Sequence, residues 1–138
     1  MLERDFVYLA CPYSHDEKQV REARFLQVTK AAARLMNQGH IVYSPITHCH
    51  PMEKHGGLPG GWQFWRRIDE VYMRHSKMLV VLPLEGWQKS TGLKAEREMA
   101  KELGIPILWL NIETFEIDWE EKHVPQMPKP KPKHARKF

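Results

Sequence analysis

Four short apolar runs recur along the chain with helix-like stretches between them, and this alternation constrains the fold more than any other feature. The runs are Phe6-Val7-Tyr8-Leu9-Ala10, Ile41-Val42-Tyr43, Met78-Leu79-Val80-Val81-Leu82 and Ile105-Pro106-Ile107-Leu108-Trp109-Leu110. They are continuous rather than alternating, so each reads as a strand buried on both faces. Between the first two, the stretch from about His15 to Gln38 predicts a helix. Val28, Ala31, Ala32 and Leu35 fall on one helical face there, and Gly39 is a fitting stop. Trp62 to His75 and Ser90 to Leu103 predict two more helices. Alternating strands and helices imply an α/β fold: a single flavodoxin- or Rossmann-like three-layer domain with a mainly parallel sheet of four to five strands. Ligands in such sheets gather at the carboxyl ends of the strands. Here those ends are Ala10–Ser14, Ser44–His50, Pro83–Ser90 and the residues after Leu110. The stretch from Ile46 to Gly61, rich in His, Gly and Pro, reads as a long binding loop.

The chain's 138 residues are enough for one domain with its own core. The domain is expected over residues 1–126, followed by a basic Pro/Lys-rich tail over 127–138. That tail explains the net charge of +4: residues 128–138 hold five basic side chains and no acid, leaving 16 basic and 17 acidic side chains elsewhere. The basic balance therefore describes a tail and not a domain face, which argues against a nucleic-acid partner. The tail reads as an extended, solvated segment or as a contact for an acidic partner or neighbouring subunit. No apolar run is long enough to span a membrane, and acids at the N-terminus argue against a signal peptide. A cytoplasmic protein with Cys11 and Cys49 as free thiols is the simplest expectation, although the sequence alone also permits a disulfide.

Chemistry concentrates in Ser90-Thr91-Gly92-Leu93-Lys94-Ala95-Glu96. Ser90 can cap the helix that follows, the free N–H groups at the helix start favour an anion, and Gly92 lets a ligand approach the backbone. Glu96 shares a helical face with Gly92, Met99, Ala100 and Leu103. A carboxylate on a core-facing stripe is costly unless it is paired or used, so Glu96 is either a functional group or half of a salt bridge. Asp69 lies on a helix crowded by Trp62 and Trp65. It reads equally as a ligand contact or as a surface acid paired with Arg66 or Arg67. Trp87 can stack on a base or pack in the core. Arg21 and Arg24 can pair a phosphate or sit on a solvated face. Lys94 either projects outward or supplies charge to a phosphate. His48-Cys49-His50 offers metal-ligand types. However, alternate residues of an extended loop point apart and no second motif accompanies them, so pocket-lining is the expectation and no metal or cofactor is expected.

Tyr8-Leu9-Ala10-Cys11-Pro12-Tyr13-Ser14 resembles the opening loop of nucleoside 2-deoxyribosyltransferases. Ser90-x-Gly92-x-x-x-Glu96 resembles the serine-glycine-glutamate motif of that superfamily, which includes the 2'-deoxynucleoside 5'-phosphate N-hydrolases. Asp69 resembles the family aspartate one helix earlier. Gly39-His40 and Ser44-Pro45-Ile46-Thr47-His48 are similar to a mostly bacterial and phage subgroup, the DUF1937-type proteins. The resemblance runs from Phe6 to Leu110. It implies an N-glycosidase acting on a nucleoside or nucleoside 5'-monophosphate, with a deoxyribosyl transfer between bases or non-catalytic nucleotide binding as alternatives. It casts Glu96 as nucleophile, ionised by its helix N-terminus, and Asp69 as a catalytic group that orients the base or assists proton transfer to the leaving nitrogen. Tyr8, Cys11, Tyr13, Ser14, His48, Trp87, Ser90 and Gly92 would bind substrate. It also implies a homo-oligomer, a dimer or tetramer, with the aromatic helix 62–75 as a plausible contact. Cys11 stands where the family has glycine, which narrows the site.

Overall fold

A computed structural model describes residues 6–120. The expected tail and the domain boundary at residue 126 lie outside the described residues. Among the described residues, five strands form one sheet in the order β2-β1-β3-β4-β5. They are β1 (Phe6–Ala10), β2 (Ile41–Tyr43), β3 (Met78–Val81), β4 (Ile107–Leu110) and β5 (Ile117–Glu120). The first four pair in parallel, and β5 closes the edge antiparallel to β4. The fifth strand follows a turn after Asn111, where no apolar run marks it.

Four α-helices among the described residues complete the layers: α1 (Lys18–Asn37), α2 (Pro45–Gly56), α3 (Trp62–Arg74) and α4 (Thr91–Leu103). Helix α1 buries the expected stripe of Val28, Ala31, Ala32 and Leu35. It covers one face of the sheet, where Val7, Leu9, Val80, Leu82 and Leu110 point. Met73 of α3 and Leu93, Met99 and Ala100 of α4 cover the other face, against Tyr8, Ala10, Leu79, Val81 and Trp109. Side chains of a strand alternate between faces, so Tyr8 points towards α3 and α4 while its neighbours point towards α1. The chain leaves β1 for one face and β3 for the other. That divergence opens a crevice at the carboxyl ends of the two central strands.

The stretch 46–61 is not a loop. Most of it is α2, and only residues 57–61 connect it to α3. Ser44 is its N-cap, with Oγ accepting from Thr47 N at 3.2 Å, and Pro45 occupies the first turn. Proline there loses no helical hydrogen bond, so Ser44-Pro45 begins a helix and does not merely end a strand. Gly57 closes the helix in the left-handed conformation, at φ 72°. Histidine and proline in this segment disguise the helix, because Pro51 sits inside it, where its missing N–H is ordinarily costly. No helix among the described residues is long and apolar enough to cross a membrane.

Candidate active site

Glu96 is central to the crevice. Ser90 caps α4 as expected, its Oγ accepting from Leu93 N at 3.1 Å, and this fixes the rotation of the helix. Leu93, Glu96, Met99 and Ala100 then face the sheet. Glu96 is only 6% exposed and pairs with no cation among the described residues. The salt-bridge alternative is thereby excluded. Instead the Tyr8 hydroxyl, fully buried on β1, donates to Glu96 Oε2 at 2.6 Å.

Asp69 joins it from α3. It is 5% exposed, and its Oδ1 is buried without a hydrogen-bond partner. The pairing with Arg66 or Arg67 does not form; both arginines are exposed. Burial alone pushes Asp69 up to about 7. Burial, with a smaller push from Asp69, raises Glu96 to about 8 against the lowering pull of the Tyr8 hydrogen bond. The expectation that the helix N-terminus keeps Glu96 ionised at neutral pH is therefore overturned. Glu96 is in the second turn of α4, where the dipole has faded, and desolvation of a fully buried carboxylate outweighs it.

Glu96 and Asp69 open into a pocket of about 100 Å³ that also meets Cys11, Tyr13, Ser14, Ser90 and Gly92. An added Cβ at Gly92 would meet nothing within 4 Å, so the missing side chain leaves open room in the pocket wall. Cys11 and Cys49 are free, buried and part of the same wall. Burial pushes both thiols up, so neither is poised as a thiolate.

Ser14 and Ser90 also border a wider cleft of about 680 Å³ between α1 and the loop after β3. Arg24 lies in its wall and is not on a solvated face. Its guanidinium donates to Ser14 O at 3.0 Å and to Glu85 O at 2.9 Å. It thus ties the loop after β1 to the loop after β3. Gly86, at φ +90°, leaves room for it: a Cβ there would lie 2.7 Å from Arg24 Nη2. Arg21 binds the carbonyls of His15 and Asp16 on the exposed side.

Three expected contacts are elsewhere. Tyr8 is fully buried and does not line the pocket, meeting it through the Glu96 carboxyl. Trp87 does not line the Glu96 pocket. Its ring packs edge-on against Trp109, with centroids 4.9 Å apart, and under the Arg97 guanidinium. Exposed Lys94 lies with it beside a separate small cleft. His48 is exposed on the outer side of α2, against Tyr43, Trp65 and Tyr72. The helical form of this segment sends His48, Cys49 and His50 into three different surroundings. No group of three His, Cys, Asp or Glu side chains among the described residues could hold a metal ion.

The structure adds Glu53, Trp62, Trp65, Pro45, Ile46 and Cys49 to the pocket. Burial raises Glu53 above its ordinary range. A helical reading of 45–56 puts Cys49 and Glu53 one turn apart. That pattern was the available signal, and the loop reading hid it.

Residues 5–112 match the family model described as a domain of unknown function (DUF1937). No curated protein matches the chain.

Proposed function

The chain belongs to the DUF1937 family, and we infer that it cleaves the N-glycosidic bond of a nucleoside or nucleoside 5'-monophosphate with Glu96 as nucleophile. One observation carries this reading: a buried carboxyl without a cation, hydrogen-bonded by Tyr8, shares a pocket with a second unpaired carboxyl. Burying two such acids costs stability, and strongly perturbed groups in a cleft are candidate catalytic groups. Burial pushes Glu96 up to about 8, with a smaller push from Asp69, and pushes Asp69 up to about 7, so a state with one proton on the two carboxyls is accessible near neutral pH. Positive charge developing at the anomeric carbon favours ionised Glu96 and leaves the proton on Asp69.

Glu96 then attacks the anomeric carbon as the bond to the base breaks, and Asp69 gives its proton to the departing nitrogen. Tyr8 steadies the carboxylate as it becomes an ester and again as it leaves. Water resolves the glycosyl-enzyme. At about 100 Å³ the inner pocket suits a sugar ring, and the 5' end runs past Ser14 and Ser90 towards the wider cleft. A second copy of the chain would meet α3 at its exposed Val71 and Tyr72.

Purified protein is incubated with each nucleoside, deoxynucleoside and 5'-monophosphate, with and without a second free base. Free base alone identifies a hydrolase, and a new nucleoside identifies a transferase. Binding without turnover in the wild type, retained in Glu96→Ala, overturns the enzymatic reading.

A further inference from the structure

A second polar constellation reaches the same pocket from the α1–α2 side. Tyr13, half-buried in the loop after β1, lines the pocket and its hydroxyl meets His50 Nδ1 at 2.5 Å. His50 is on α2, 6% exposed, with its ring stacked on Phe25 of α1 at 4.2 Å between centroids. Its other ring nitrogen, Nε2, lies 3.2 Å from Glu22 Oε2. That contact is ionic in distance but is not aligned as a hydrogen bond. Lys54 Nζ sits 3.2 Å from the same Glu22 oxygen and helps hold that carboxyl below its ordinary range.

The chemistry of this chain of contacts is directional. With Nδ1 accepting from the Tyr13 hydroxyl, the ring proton is on Nε2, facing Glu22. A neutral ring leaves buried Nε2 poorly satisfied, which is costly. Moving the Tyr13 proton onto Nδ1 makes an imidazolium whose charge Glu22 stabilises. A phenol, an imidazole and a carboxylate in sequence are the components of a proton relay. The ring's orientation is fixed by the Phe25 stack on one side and the two polar contacts at its nitrogens.

We propose that Tyr13, His50 and Glu22 form a proton relay that activates the water which resolves the glycosyl-enzyme. This rests on the N-glycosidase reading of Glu96. As the water oxygen bonds to the anomeric carbon, the bond from that carbon to the Glu96 oxygen breaks and its electron pair returns to the carboxylate. The water's proton passes to the Tyr13 oxygen while the Tyr13 proton moves to His50 Nδ1. The imidazolium stays beside Glu22 until the sugar leaves, and its Nδ1 proton then returns to the Tyr13 oxygen as the Tyr13 hydroxyl passes a proton to water in the emptied pocket. Tyr13 is the group that touches the reacting water; His50 and Glu22 act through it. Tyr13 reaches the pocket beside Ser14, which also borders the wider cleft.

The test is rapid-quench base release from the 2'-deoxynucleoside 5'-monophosphates of the four bases. Wild type, Tyr13→Phe and His50→Gln are compared, each normalised to folded protein. Tyr13→Phe removes a single hydroxyl and keeps the relay testable should His50→Gln fold poorly. Both variants are expected to release one equivalent of base in a burst at near the wild-type rate. Their steady-state rates then fall ten- to hundred-fold, and intact mass shows the sugar retained on the protein. A merely structural role would lower burst and steady state together, and that result, or no change in either, overturns the relay alone. A wild type that releases no base overturns the reading of Glu96 and the relay with it.

Discussion

Glu96→Gln separates the electrostatic cost of the site from its packing. Glutamine keeps the volume of the side chain and an acceptor for the Tyr8 hydroxyl, but it never ionises. In the unfolded chain the Glu96 carboxyl titrates near 4.5, and in the folded protein near 8. Between those values folding takes up a proton, so wild-type stability falls as pH rises. Below the lower value the acid is neutral in both states, and above the higher one the full cost of a buried carboxylate applies. At about 1.4 kcal/mol per pH unit, the ceiling on that cost is about 5 kcal/mol. Partial hydration of the opened pocket reduces it, so the expected gain for the variant at pH 9 is roughly 2–4 kcal/mol. At pH 4.5 the two proteins should agree within about 1 kcal/mol. Asp69 is present in both and largely cancels, and relief of its repulsion with Glu96 acts in the same direction. Urea unfolding followed by tryptophan fluorescence at pH 4.5, 7 and 9 measures the difference. A difference independent of pH, or one that favours the wild type as pH rises, would refute the reasoning and make Glu96 an ionised, compensated group.

Tyr8→Phe removes the hydroxyl that donates to Glu96. It should cost about 1–3 kcal/mol in stability and, because that bond lowers the Glu96 pKa, move the acid limb of kcat/KM to higher pH; an unmoved limb counts against Glu96 as the ionised nucleophile. Gly92→Ala meets open space and gains up to about 1 kcal/mol of helix propensity. Its melting temperature should hold or rise while KM for the substrate increases several-fold, and a clear fall in melting temperature would show that the glycine is structural. Gly86→Ala combines a positive φ with a clash against Arg24, so thermal unfolding should report a loss of about 1–3 kcal/mol, and an unchanged midpoint would mean the Arg24 clamp is slack.

Legibility divides along the range of the interactions. The parallel sheet and the two-sided core are visible in continuous apolar runs and in the Val28–Leu35 stripe, because burial imposes a local period on each element. The Ser90 cap and the inward face of Glu96 are equally local, since a helix of known start places its side chains by rotation alone. Local ambiguity hid α2: Ser44-Pro45 reads as a strand end or a helix start, and Pro51 with its flanking histidines favours the wrong choice. The edge strand β5 carries no apolar run and is defined by its pairing with β4.

Only the tertiary structure decided what Glu96 touches. Tyr8 is 88 residues away, and their meeting depends on which face of β1 turns towards α4. The same holds for Asp69, brought in from α3, and for Glu53, Trp62 and Trp65, which the sheet's crossovers carry to one crevice. Arg24 extends the Val28–Leu35 stripe by one turn, so its inward face is local, but its partners, the carbonyls of Ser14 and Glu85, come from two separate loops. The protonation of Glu96 is the sharpest case. Sequence position near a helix start suggests an ionised acid, but the pKa of a buried group sums the water excluded by every segment around it. That sum exists only once the chain has closed.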